Sequence, residues 1–201
     1  TGGQNAMIVD STALAEQECA DVLNSAFDSA GQRCSALRIL CVQEDVADHM
    51  VKMIKGAMDE LVVGNPIALD TDIGPVIDTE AQQNLLAHIN RMKGIAKSYH
   101  EIRPSENVNP DNDTFVAPIM FELNGLGELQ REVFGPVLHV VRYPADGLDK
   151  LIDQINGKGY ALTHGVHSRI DGTVEHIRSR IESGNVYVNR NIVGAVVGVQ
   201  P

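Results

Sequence analysis

Residues 6–42, AMIVDSTALAEQECADVLNSAFDSAGQRCSALRILCV, decide the fold. Ala6 to Val9 is a short apolar run that suits a buried strand, and Asp10, Ser11 and Thr12 after it offer helix N-caps. Ala15, Cys19, Val22, Leu23, Ala26 and Ala30 then recur at helical spacing. Gly31 stands where a left-handed C-terminal cap would stop that helix. Leu37 to Val42 is rich in branched residues and reads as the next strand. Strand, helix, loop and strand in under forty residues predict a strand–helix–strand unit with Cys34 on its loop.

The same alternation continues outward. Glu44 and Asp45 can cap a second helix with Val46, Met50, Ile54, Ala57 and Leu61 on its apolar stripe, and Gly64-Asn65-Pro66 breaks it. Thr79 and Gln82 have capping-box spacing for a third helix with Ala81, Leu85, Ile89, Met92 and Ala96 buried. Residues 100–114 are polar and read as an exposed loop. Phe115 to Leu123 is a strand candidate interrupted by Pro118. A helical turn follows over Leu126 to Arg131, then a strand over Val137 to Tyr143 and a helix carrying Leu148, Leu151, Ile152 and Ile155. A strand over Ala161 to His167 comes next, then a helix with Val174, Ile177 and Ile181 that stops at Gly184, and a strand over Asn185 to Asn189. This order predicts an α/β fold: one open, mainly parallel twisted sheet with helices on both faces. Ligands on such sheets are expected beyond the carboxyl ends of the strands.

Composition narrows the function classes. With 201 residues the chain suits one domain, and 43% hydrophobic with 21% charged residues is the balance of a globular core. A formal net charge of −11 repels phosphate backbones, so nucleic-acid binding is not expected. No apolar run approaches the roughly 18 residues of a membrane span, and no membrane binding is expected. Three cysteines without CxxC spacing indicate neither a disulfide framework nor a zinc site, and a reducing cytoplasmic setting fits them. His164 and His167, three apart on a strand, fall on opposite faces, so no metal site is expected from them.

Cys34 is the residue whose surroundings suggest chemistry. Gly31, Gln32, Arg33 and Ser35 make its setting polar and basic, and the thiolate is the attacking form of a cysteine nucleophile. Cys19 and Cys41 sit in an apolar helix face and a buried strand, where free cysteine behaves as a small hydrophobe. Base and electrophile-binding partners for Cys34 are not visible from the residues alone.

Five separated motifs, TGGQNA, GQRCSALR, GNPIALDTDIGPVI at 64–77, EVFGPVL at 132–138 and SGNVYVNR at 183–190, together resemble the catalytic domain of the aldehyde dehydrogenase superfamily across the whole chain. GQRCSALR with IVGAVVGVQP resembles its glutamate-semialdehyde (pyrroline-5-carboxylate) dehydrogenase branch, in the form found as a module of bacterial proline utilization A. That resemblance implies oxidation of glutamate 5-semialdehyde to glutamate with NAD. FAD is implied only in an upstream proline dehydrogenase domain of a parent polypeptide.

By resemblance, Cys34 attacks the aldehyde carbon and its backbone N–H helps hold the oxyanion. Glu132 binds the nicotinamide ribose, and Phe134 packs beside the nicotinamide. Ser35 and the backbone of Gly194 and Ala195 grip the carboxylate of the small-molecule substrate. Each has a plainer reading: a solvated acid before a Gly-Pro turn, a core phenylalanine, simple loop geometry at Gly194. Asn189 most simply satisfies local backbone groups.

The family's general-base glutamate corresponds to a position immediately before Thr1, and its NAD-binding domain precedes that. The chain is therefore expected to be the cysteine-bearing part, 1–201, of a longer, homo-oligomeric enzyme, unable to turn over alone. Two alternatives stay open: a different aldehyde, and a noncatalytic binding or oligomerisation module.

Overall fold

The structure, a computed structural model, describes residues 3–104, 108 and 113–194. Among them, seven strands form one sheet in the order β3-β4-β5-β2-β1-β6-β7. In chain order these are β1 (Ala6–Val9), β2 (Ile39–Gln43), β3 (Ser98–Glu101), β4 (Ile119–Leu123), β5 (Val137–Tyr143), β6 (Ala161–His167) and β7 (Ser183–Val188). All pairings are parallel except β3 with β4. The central strands β1, β2 and β5 are largely apolar because both of their faces are buried, with His139 and Arg142 as the polar exceptions in β5.

Five helices connect them: α1 (Ala15–Phe27), α2 (Glu44–Asp59), α3 (Thr79–Lys93), α4 (Leu148–Asn156) and α5 (Asp171–Arg180). From β1 the chain steps through α1 to β2, and α2 and α3 lead on towards β4; from β5 it crosses through α4 to β6 and through α5 to β7. The two sets of crossovers run in opposite directions along the sheet. Right-handed connections then place them on opposite faces, and α1 packs against α2 as that requires. The expected sheet covered on both faces is the observed one.

Local departures have identifiable causes. The helix α1 begins at Ala15 rather than beside Asp10, because the Asp10 carboxylate accepts instead from the Thr12 N–H at 2.7 Å and its hydroxyl at 2.6 Å, closing a turn. The cap of α3 is Asp78, which accepts from the Ala81 N–H at 2.8 Å. Gln82, expected in a capping box, donates to the carbonyls of Asp113 and Phe115. Part of the expected 100–114 loop is strand: Ser98–Glu101 pairs antiparallel with β4 as a polar edge strand and so carries no apolar run to betray it.

Pro118 delays β4 to Ile119, and its carbonyl accepts from the Ile102 N–H. Gly184 lies inside β7, not at a helix stop; a Cβ there would stand 2.9 Å from the Leu162 carbonyl oxygen of the neighbouring strand. His164 and His167 are both core residues.

Candidate active site

The loop that carries Cys34 leaves α1 through three successive left-handed residues, Ser29, Ala30 and Gly31, with φ of 56°, 53° and 64°. Glycine is required at the third: a Cβ on Gly31 would lie 2.2 Å from the Gly135 carbonyl oxygen. The Ala36 N–H then closes a turn onto the Arg33 carbonyl at 3.0 Å, leaving Cys34 exposed at its apex and Ser35 buried beneath.

Two buried polar side chains hold this turn. Asn5, fully buried, donates from Nδ2 to the carbonyls of Cys34 at 2.8 Å and Ala36 at 2.9 Å. Its Oδ1 accepts from the N–H groups of Leu162 and Thr163, so the whole amide is used. Thr163 adds a hydroxyl bond to the Ser35 carbonyl at 3.0 Å.

Arg38, 1% exposed, is the second support. Its Nη1 donates to the carbonyl of Gly31 at 2.6 Å and of Gly135 at 3.3 Å, and Nη2 donates to that of Arg33 at 2.9 Å. The guanidinium also lies 3.6 Å from Glu132 Oε1 and 4.9 Å from the centroid of the Phe134 ring. Burial lowers its pKa to about 10 against the opposing pull of Glu132, and it remains a cation at neutral pH.

Cys34, Ser35, Glu132 and Phe134 are thus gathered around one buried arginine that the sequence reading did not single out. A signal existed: an arginine at the head of the apolar run ILCV must be paired if buried. Asn5, immediately before AMIV, carries the same kind of signal.

Neither plain reading of Glu132 and Phe134 holds. Glu132 is not a solvated acid: it pairs with Arg38 and accepts the Gly3 N–H at 3.0 Å. Phe134 is 47% exposed rather than core. Both line a cavity of about 290 Å³ with Gln32, Asn84, Leu85 and His88.

The gathering takes place at the amino ends of β1, β2, β5 and β6, because Gly3, Cys34, Glu132 and Leu162 lie at or before those strand starts. This corrects the expectation of a site beyond the carboxyl ends.

Past β7 the chain turns back beside α1. Gln17 donates to the Asn189 carbonyl, and the Ile192 N–H donates to Ser25 Oγ at 3.0 Å. The Ser25 carbonyl in turn accepts from Leu37, three residues after Cys34. Gly194 ends this described run next to the Arg190 side chain, and Ala195 lies outside the described residues. Asn189 does serve local backbone, exchanging two hydrogen bonds with Ser168. Cys19 and Cys41 are buried, and burial pushes their thiols up to about 11 and about 12.

Among the described residues, no group of three or more His, Cys, Asp or Glu is placed to hold a metal ion, and no helix is long and apolar enough to cross a membrane.

Comparison with known proteins agrees with this geometry. The chain is 58% identical over 204 residues to the bifunctional protein PutA of Klebsiella aerogenes, covering 100% of itself and 16% of that protein. A crystal structure of a Bradyrhizobium japonicum proline utilization A mutant superposes with a TM-score of 0.94 at 56% identity, over all of this chain and 20% of the other. A Thermus thermophilus 1-pyrroline-5-carboxylate dehydrogenase mutant does so with a TM-score of 0.87 at 32% identity, over all of this chain and 38% of the other. The family model described as "Aldehyde dehydrogenase family" matches residues 1–201. With its loop cysteine, its Glu-Val-Phe-Gly-Pro cavity wall and its sheet all accounted for, the chain belongs to the aldehyde dehydrogenase family.

Proposed function

We propose that the chain is the cysteine-bearing part of a longer enzyme that oxidises L-glutamate 5-semialdehyde, the opened form of pyrroline-5-carboxylate, to L-glutamate with NAD, in proline catabolism. The observation that carries the reading is Cys34, exposed at the apex of a turn held by Asn5 and Arg38, and linked through Arg38 to the cavity residues Glu132 and Phe134. The names of the relatives supply the substrate class.

Cys34 adds to the aldehyde carbon to give a thiohemiacetal. Loss of hydride leaves a thioester on the same sulfur, and water hydrolyses it to the carboxylate and free Cys34. Among the described residues the Cys34 backbone N–H is paired with no acceptor, so it is free to donate to the developing oxyanion. NAD, when bound, supplies the hydride acceptor that side chains lack.

The residues present fit such a group. The Glu132 carboxylate accepts a single hydrogen bond, from the Gly3 N–H at Oε2, and that oxygen keeps acceptor capacity for a ribose diol while Oε1 is enclosed against Arg38; the half-exposed Phe134 ring offers a flat apolar wall beside it. Ser35 and the backbone of Gly194 and Ala195 are assigned to the substrate's carboxylate. The return of residues 189–194 alongside α1 supports that assignment for Gly194.

The test is steady-state turnover of pyrroline-5-carboxylate with NAD by the longer protein that carries this sequence, before and after Cys34→Ala. Loss of at least about 10³-fold in kcat is expected. A variant that keeps its rate overturns the reading, and faster turnover of simple aliphatic aldehydes overturns the substrate. The 201-residue chain alone is expected to show no multiple turnover.

A further inference from the structure

Behind the cavity wall, two buried histidines face each other across the α3–β5 contact. His88 Nε2 lies 3.0 Å from His139 Nε2, and the rings meet edge to face with centroids 5.2 Å apart. His139 Nδ1 lies 3.1 Å from the Arg38 carbonyl oxygen, and His88 Nδ1 lies 3.5 Å from Arg91 Nη2. Phe121 stacks against the His139 ring.

The end partners settle the protons. A carbonyl can only accept, so His139 carries its hydrogen on Nδ1. A guanidinium can only donate, so His88 Nδ1 is bare. One hydrogen per neutral ring then leaves a single arrangement: Arg91 donates to His88, His88 Nε2–H to His139 Nε2, and His139 Nδ1–H to the Arg38 carbonyl. A further proton on either ring sets a donor against a donor, at the Nε2 pair or at Arg91.

We infer that His88 and His139 are positioning residues, a one-directional relay that fastens the wall of the Glu132–Phe134 cavity to the backbone of Arg38 and so to the Cys34 turn. Arg38 is where the relay gains its effect, because its side chain holds Gly31, Arg33 and Gly135 while its carbonyl accepts from both the ring and the backbone N–H of His139.

The surrounding charges favour neutral rings. Arg91 and Arg131 face His88, and Arg38, His88 and Arg91 face His139. Burial first and the two arginines after it bring His88 down to about 4, and burial first brings His139 to about 3 against the upward pull of its bond to the Arg38 carbonyl. The relay's catalytic meaning rests on Cys34 being the nucleophile; its existence does not.

Nitrogen-15 spectra of the imidazoles at about pH 6 are expected to show His139 as the neutral Nδ1–H tautomer and His88 as the neutral Nε2–H tautomer. Amide hydrogen exchange at Ala36 and Leu37 reads the turn. His139→Asn, whose amide can reproduce the Nδ1 donor, should exchange within about twofold of the parent, whereas His139→Gln, which cannot reach the Arg38 carbonyl, should exchange about fivefold faster. His88→Gln keeps the Nε2 donor and should behave as the parent, while His88→Leu should not.

The proposal falls if either ring is an imidazolium or the opposite tautomer at that pH, or if His139→Gln exchanges as the parent does. Repeating the exchange in a Cys34→Ala background should give the same pattern. That result separates failure of the relay from failure of Cys34 as a nucleophile, which only the turnover assay reads.

Discussion

The two ends of the sheet treat buried polar groups in opposite ways. At the amino ends, Asn5 and Arg38 are enclosed, and most of their donors and acceptors go to loop backbone, far along the chain in several cases. Of these two side chains only Arg38 Nε is left without a hydrogen bond, and beside them the buried oxygens Gln4 Oε1 and Glu132 Oε1 also lack one. At the carboxyl ends the bonds join the loops to one another, side chain to side chain between Ser168 and Asp10 and side chain to backbone elsewhere. Ser168 donates to Asp10, Arg169 N–H to Thr12, and Asn189 bridges both ways to Ser168. Beside this knot Glu18 is fully buried with neither carboxylate oxygen hydrogen-bonded, near Asp21, which lies 3.6 Å from His167.

The first arrangement uses its polar groups to hold the turn that exposes the Cys34 side chain, and the second closes its edge. A site can therefore sit at the amino ends of a parallel sheet when buried cations and amides shape the loops there.

Removing Arg38 should break that contrast most severely. Arg38→Met leaves three carbonyls and Glu132 without their buried cation, and a loss of about 3–5 kcal/mol in urea unfolding is expected. Arg38→Lys should recover only part of this, because an ammonium group cannot span the same acceptors. A variant as stable as the parent would show that the amino-end network is ornamental.

Glu18 gives the next effect, with the opposite sign. Burial, reinforced by Asp21, raises its carboxyl to about 8 from an ordinary 4.5, so the folded state binds a proton that the unfolded state has released between those values. Its contribution is fully present below pH 4.5 and is lost as pH rises towards 8. Glu18→Gln should therefore stabilise the protein by about 1–3 kcal/mol at pH 8 and by much less near pH 5, as read from melting curves at both. Equal effects at the two pH values would mean that Glu18 is paired or solvated in solution.

Smallest is Asn189→Ala, which removes two hydrogen bonds to Ser168 and places alanine at φ 50°. About 1–2 kcal/mol of destabilisation is expected, with the iodoacetamide reaction rate of Cys34 unchanged. A changed rate would show that the two ends of the sheet communicate.

Much of this architecture was legible beforehand. The strands Ala6–Val9, Val137–Tyr143 and Ala161–His167 emerge at their observed bounds, the first because it is apolar throughout, the other two because Gly135-Pro136 and the glycines Gly157 and Gly159 break the chain just before them. Cys34 on the loop and a left-handed Gly31 were equally readable, but α1 ends earlier than its apolar spacing implied, at Phe27, and Ser29 and Ala30 are left-handed ahead of Gly31. The polar edge strand Ser98–Glu101 was not, since half of its pairing surface faces water and its register is set by β4.

By itself, then, the sequence determined the alternation of elements, the breaks between them and the position of the one cysteine outside an apolar setting. Which end of the sheet became the site was decided by tertiary structure alone, as were the union of Gly3 with Glu132 across 129 residues, the grip of Arg38 on Gly135 across 97, and the meeting of His88 with His139 across 51. The physical reason is that periodicity records which face of an element is buried, whereas the partner of a buried polar group is chosen by whatever the rest of the fold brings within hydrogen-bond reach.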